Sequence, residues 1–225
     1  MPSRLPRLCK FERWAPCIAL VLILAVGLPC AAAERAYLYE ENPNKPRGDR
    51  HVGSVTWRTE MMPGSPAGPS ELAVRCDIVV PKRLMTMRWS LRRNTDKSLS
   101  ASHAIEIEFV LPPDFPGGGV QEVLGISMKQ GEQTDSAPLS GLANKVKPGS
   151  FVIGLSALKT DLLRNMLLLK ERSWFDIPIV YQRGRRAILA MQLRVFRFRQ
   201  DDRDQIRAWM LLLGCEMASL VGSEH

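Results

Sequence analysis

Leu72-Ala73-Val74-Arg75-Cys76-Asp77-Ile78-Val79-Val80 puts Leu72, Val74, Cys76, Ile78 and Val80 on one side of an extended chain. Successive side chains of a strand point to opposite faces, so this period of two marks a half-buried strand. Two segments downstream repeat it. Met85, Met87, Trp89 and Leu91 oppose Thr86, Arg88, Ser90 and Arg92, while Ile105, Ile107, Phe109 and Leu111 oppose Glu106 and Glu108. The three runs define one side of a β-rich core, and they carry no chemistry of their own.

Upstream, Met61 to Ser70 holds Pro63, Gly64, Pro66, Gly68 and Pro69 and reads as a linker or exposed loop. His51 to Glu60 reads as a strand with Val55 and Trp57 inward. Glu34 to Arg50, broken by Pro43 and Pro46, reads as a short extended lead-in around Tyr37 and Tyr39 followed by a loop. Downstream, Pro112 to Gly119 excludes regular structure, because proline lacks a ladder donor and glycine carries no packing information. A strand-like segment, Val123 to Met128, follows those glycines, whereas a nucleotide-binding loop would lead into a helix. Gly131 to Lys147 reads as mixed loop and Phe151 to Leu155 as a strand. Thr160 or Asp161 can cap a helix whose Leu162, Leu163, Met166, Leu167 and Leu169 cover one broad face. Trp174 to Tyr181 and Ala187 to Met191 form a hairpin around Gln182-Arg183-Gly184-Arg185, and a helical stretch around Ile206, Trp209 and Leu213 ends at Gly214. The expected fold is mainly β, antiparallel and β-sandwich-like, with one central helix and a C-terminal helix, in the all-β to α+β range.

Residues 1–33 have the build of a secretory signal peptide. Arg4, Arg7, Lys10 and Arg13 precede the apolar run Ile18 to Leu28, and Ala31-Ala32-Ala33 offers the small residues of a cleavage site before Glu34. The run is shorter than the roughly 20 residues of a membrane span, although an uncleaved N-terminal anchor stays open as an alternative. The divisions are then the signal peptide at 1–33, a lead-in, strand and loop at 34–70, a β-rich core at 71–191, and a basic strand with helical tail at 192–225. The expected location is outside the cytoplasm, periplasmic or secreted. The full chain carries 31 Lys plus Arg and 23 Asp plus Glu; without the four basic residues and Glu12 of the leader, 27 and 22 remain, a net charge of +5. Of the five cysteines only Cys76 and Cys215 remain. They could pair in an oxidising compartment, while Cys76 on its apolar strand face could equally be a buried thiol.

Catalytic signals are sparse. His51, His103 and His225 lack partners at metal-ligand spacing, and nothing signals a cofactor. Asp96 with Ser102-His103 supplies the residue types of a hydrolase triad without a nucleophile elbow, and Glu106 with Glu108 supplies paired carboxylates. A periplasmic hydrolase using Asp96, His103, Glu106 and Glu108 is therefore the alternative reading. On a sheet face those glutamates equally serve as partners of Arg88 and Arg92. The clearer feature is the acid-free segment with Arg183, Arg185, Arg186, Arg194, Arg197 and Arg199, whose +6 exceeds the charge of the whole mature chain. Such a strip attracts anions, and export favours lipid headgroups or acidic polysaccharide over nucleic acid. The leading reading is an exported, non-catalytic β-rich module that binds another macromolecule through it.

Trp89-Ser90-Leu91-Arg92-Arg93-Asn94-Thr95-Asp96-Lys97-Ser98, Trp174-Phe175-Asp176-Ile177-Pro178 and Gly184-Arg185-Arg186-Ala187-Ile188-Leu189-Ala190 resemble an uncharacterised group of exported bacterial proteins, over about residues 36–190. The resemblance implies export and brings no activity, cofactor or site. A likeness of general layout to small secreted β-proteins associated with host-cell invasion implies a β-rich fold.

Overall fold

The alternation at 72–111 folds as written. In the computed structural model, which describes residues 34–63, 70–96 and 100–193, it forms β3 (Glu71–Val80), β4 (Met85–Arg93) and β5 (Ala101–Val110). Cys76, Ile78, Val80, Met85, Met87, Trp89, Leu91, Ile105 and Ile107 are all buried on one face. Ahead of them lie β1 (Glu34–Asn42) and β2 (Lys45–Met62). After them come β6 (Val120–Val123), β7 (Ser127–Lys129), β8 (Ala137–Pro138), β9 (Gly141–Lys147), β10 (Ser150–Ser156), α1 (Lys159–Glu171), β11 (Trp174–Tyr181) and β12 (Arg186–Gln192). The expected leader, the C-terminal helix, Arg194, Arg197, Arg199 and Cys215 lie outside the described residues.

Among the described residues every strand pair is antiparallel, and all belong to one sheet, ordered β8-β7-β11-β12-β1-β2-β3-β4-β5-β10-β9, with β6 alongside β7 on β11. A single sheet stands where a two-sheet sandwich was expected. It buries its apolar face by curling into a half-barrel. Trp89 on β4 and Phe175 on β11 are five strands apart in that order, roughly 24 Å in a flat sheet at 4.8 Å per strand. Their ring centroids are 5.3 Å apart. Trp57 on β2 completes the group at 5.5 Å from Trp89 and 6.2 Å from Phe175. Both ends of the sheet are joined by the chain itself, since only Leu139 and Ser140 separate β8 from β9. Asn165 of α1 pins that seam, accepting from the Ser140 N–H and donating to the Ser140 carbonyl, each at 2.8 Å.

Several local expectations change. The lead-in and loop at 34–50 is instead the hairpin β1–β2, with β1 in the middle of the sheet. Pro43 falls in its turn, and Pro46 lies at an irregularity between Glu40 and Asn42 where no ladder donor is needed. Gly48 (φ +66°) bends the returning strand so closely that a Cβ there would meet the Glu40 carbonyl oxygen at 2.4 Å. The segment 123–128 splits into β6 and β7. Pro178 of β11 explains the break, because its carbonyl accepts from Leu124 N–H at 2.9 Å while its nitrogen, on the same side, has no hydrogen to give. The mixed loop at 131–147 contains β8 and β9. α1 starts behind Leu158 with no side-chain cap, and it buries Asn165, Leu168 and Leu169, leaving Leu163 and Leu167 exposed. Its leucine stripe therefore faces outward in part. Cys76 is a free, buried thiol with its Sγ 3.8 Å from Met191 Sδ, and burial pushes its pKa well up.

Candidate functional site

Strand parity decides where the expected chemistry lands. On β5, His103 points inward and is buried, its Nδ1 3.2 Å from Ser102 Oγ. Glu106 and Glu108 point outward, where Arg92 donates to Glu106 at 2.8 Å and Arg88 to Glu108 at 3.0 Å. The carboxylates and the histidine thus occupy opposite faces of one sheet. Asp96 sits in the turn after β4, its N–H donating to Asn94 Oδ1 at 3.2 Å. The outer face of β2–β5 extends this ion-pair lattice: Arg58 with Asp77, Arg75 with Glu60 at 2.9 Å, and Arg92 with Glu71 at 3.5 Å. Among the described residues, no three His, Cys, Asp or Glu side chains cluster as metal ligands, and no helix is long and apolar enough to cross a membrane.

No family model matches the chain, and no curated protein or solved structure matches it either. Geometry alone therefore selects the site.

A groove of about 680 Å³ lies between the tip of the β1–β2 hairpin and the outer face of β11–β12. Its floor is a cross-strand rung. Leu124, Pro178, Ile188 and Tyr39 follow one another along the hydrogen-bonding direction, since Pro178 pairs with Ile188 and Ile188 with Tyr39. Leu124 and Ile188 are 52% and 41% exposed, so the floor presents aliphatic surface to solvent. Its rim is cationic, formed by Arg47 from the hairpin, Arg185 just before β12 and Arg186 at its start. Among the described residues no carboxylate is paired with any of these three guanidiniums. Lys45, by contrast, is neutralised by Asp49 at 2.6 Å. Glu41 accepts from the Arg186 backbone N–H at 3.0 Å, which orients that strand end. Of the arginine strip, Arg185 and Arg186 thus reach the groove. Arg183 is not in the groove lining and donates to the Pro116 carbonyl at 3.0 Å.

Directly inside the groove the sheet is tied by a buried polar knot that the sequence reading did not find. Glu40 is 6% exposed. Its Oε1 accepts from Tyr181 OH at 2.8 Å and from Arg83 Nη2 at 3.1 Å. Its Oε2 lies 2.9 Å from Arg83 Nε and 3.0 Å from His51 Nε2. Because the carboxylate only accepts, the proton of a neutral His51 belongs on Nε2. The Arg83 guanidinium, from the turn Pro81–Arg83, also lies 4.7 Å over the Phe115 ring. Phe115 in turn packs on Tyr181, with ring centroids 5.2 Å apart. Burial first, and the Glu40 charge second, raise the Tyr181 pKa above its ordinary value of 10.

This shift has a testable sign. The folded protein holds the Tyr181 proton to higher pH than the unfolded chain, so the stability it contributes is complete below pH 10 and is lost as pH rises through the folded pKa. Unfolding free energies from urea titrations should fall above about pH 10 with a slope whose Tyr181 share approaches 1.4 kcal/mol per pH unit, added to that of the buried Cys76 thiol. Tyr181→Phe should lower stability at pH 8 yet flatten that slope. An unchanged slope in the variant would remove Tyr181 as its origin.

Proposed function

We propose that the protein is an exported, non-catalytic β-rich module that binds an anionic partner of the cell envelope or its surroundings through the groove between the β1–β2 and β11–β12 hairpins. One observation carries this reading. Arg58, Arg75, Arg88 and Arg92 on the outer face of β2–β5 are all matched by carboxylates, whereas Arg47, Arg185 and Arg186 around the groove are not. Arginine suits the role, because its planar fork donates two parallel hydrogen bonds to a phosphate or carboxylate. The leader-like residues 1–33 support export.

Each near-surface charge contributes about 1 kcal/mol to binding an anionic surface at modest salt. The triple variant Arg47→Ser, Arg185→Ser, Arg186→Ser should therefore bind heparin or phosphatidylglycerol vesicles on the order of 100-fold more weakly. The difference should shrink as rising salt shortens the screening length. A folded triple variant retained as strongly as the parent at every salt concentration would show that the rim is only a solvated surface.

A further inference from the structure

The groove has two chemistries, and the anion reading uses only one. Three cations would serve a polysaccharide or any other polyanion on a polar floor. Here the floor is the aliphatic rung Leu124–Pro178–Ile188, and two of those side chains are exposed. The aromatic ring at its end, Tyr39, is already engaged, donating to Glu132 and accepting from Arg50 Nε at 3.3 Å. Its hydroxyl is therefore not available to a ligand.

Resting on the anion reading, we infer that the groove holds one molecule of an anionic lipid, its phosphate on the arginine rim and the start of its chain along the apolar rung. The dimensions agree. Arg186 and Ile188 share the outer face of β12 two residues apart, which places the cation roughly 7 Å along the strand from the rung. The rung from Pro178 across Ile188 to Tyr39 crosses two strand spacings, about 10 Å, enough for a chain of roughly eight carbons. The volume of about 680 Å³ is in the range of small-ligand sites. An acyl chain laid on the floor would bury Leu124 and Ile188, which are exposed without it.

The probes are monomeric n-alkyl phosphates of four, six and eight carbons, with inorganic phosphate and heparin alongside, measured by calorimetry on the protein lacking residues 1–33 and on the full chain. Affinity should rise about two- to fourfold per methylene added. Inorganic phosphate should bind weakly. The floor variant Leu124→Ser, Ile188→Thr changes two exposed positions and keeps a β-branched residue in the strand. It should bind octyl phosphate about tenfold more weakly than the parent, flatten the chain-length trend and leave heparin retention unchanged. Equal affinity for all chain lengths, with heparin still retained, would overturn the lipid inference and leave the anion reading standing. Octyl phosphate binding that the floor variant does not weaken would likewise overturn it. Absence of both alkyl phosphate and heparin binding would overturn both.

Discussion

Replacing Glu40 with alanine should destabilise the protein by about 3 kcal/mol, at the lower end of the range for breaking a buried ion pair. The loss has three sources. Arg83, 16% exposed, keeps its charge and loses both contacts to the carboxylate. The Tyr181 hydroxyl, on a residue 1% exposed, loses its acceptor. His51 Nε2 loses its partner, and Nδ1 of the same ring is already buried without one. Leaving buried donors unsatisfied costs more than making the bonds contributed. Glu40→Gln keeps an acceptor but no charge, so it should cost roughly half as much. Glu122→Ala, on an exposed strand position, should stay within about 0.5 kcal/mol. The decisive measurement is a double-mutant cycle between Glu40→Gln and Arg83→Met by urea unfolding. A coupling energy near zero would mean that the knot does not act as a unit.

The parts of this fold that sequence disclosed are those where one face meets water. Met85-Thr86-Met87-Arg88-Trp89 alternates because β4 is polar outside and apolar inside. β1 read only as a short extended lead-in for the opposite reason. Ala36, Tyr37 and Leu38 are all buried, since Tyr37 stacks on Trp174 outside (ring centroids 5.9 Å apart) while Ala36 and Leu38 face the core. A strand covered on both sides has no period of two. β9 was hidden because, at a sheet end, its apolar Leu142 and Val146 are exposed beside Asn144 while Lys145 and Lys147 share the face of Ala143, so neither face reads as apolar. α1 misled because a helix against one side of a barrel needs only part of its leucines.

The site was half legible for a related reason. Arg183, Arg185 and Arg186 stand out as a local run, and two of them line the groove. Arg47 reaches it only because the β1–β2 register brings the hairpin tip beside β12. Glu40 meets Arg83 and Tyr181 across 43 and 141 residues of chain. Period-two patterning sets which face a residue takes, and strand order sets which residues share that face. Only the first is a local property of sequence.

Trp89→Ala should cost about 4 kcal/mol, near the middle of the range for removing a large buried aromatic. Its size follows from position rather than from area alone. Trp89 is fully buried and touches Trp57 and Phe175 at once, so it lies where the two arms of the curled sheet meet. A flat sheet would leave Trp89 and Phe175 too far apart to interact, so their coupling measures the curl itself. A cycle of Trp89→Leu and Phe175→Leu should give a coupling of about 0.5–1.5 kcal/mol, typical of an aromatic pair in contact. The pair Trp89→Leu with Tyr37→Leu is the control, because Tyr37 is buried on the outer face against Trp174. Those two changes should add within about 0.5 kcal/mol. Additivity of Trp89 with Phe175 as well would separate the arms and overturn the half-barrel.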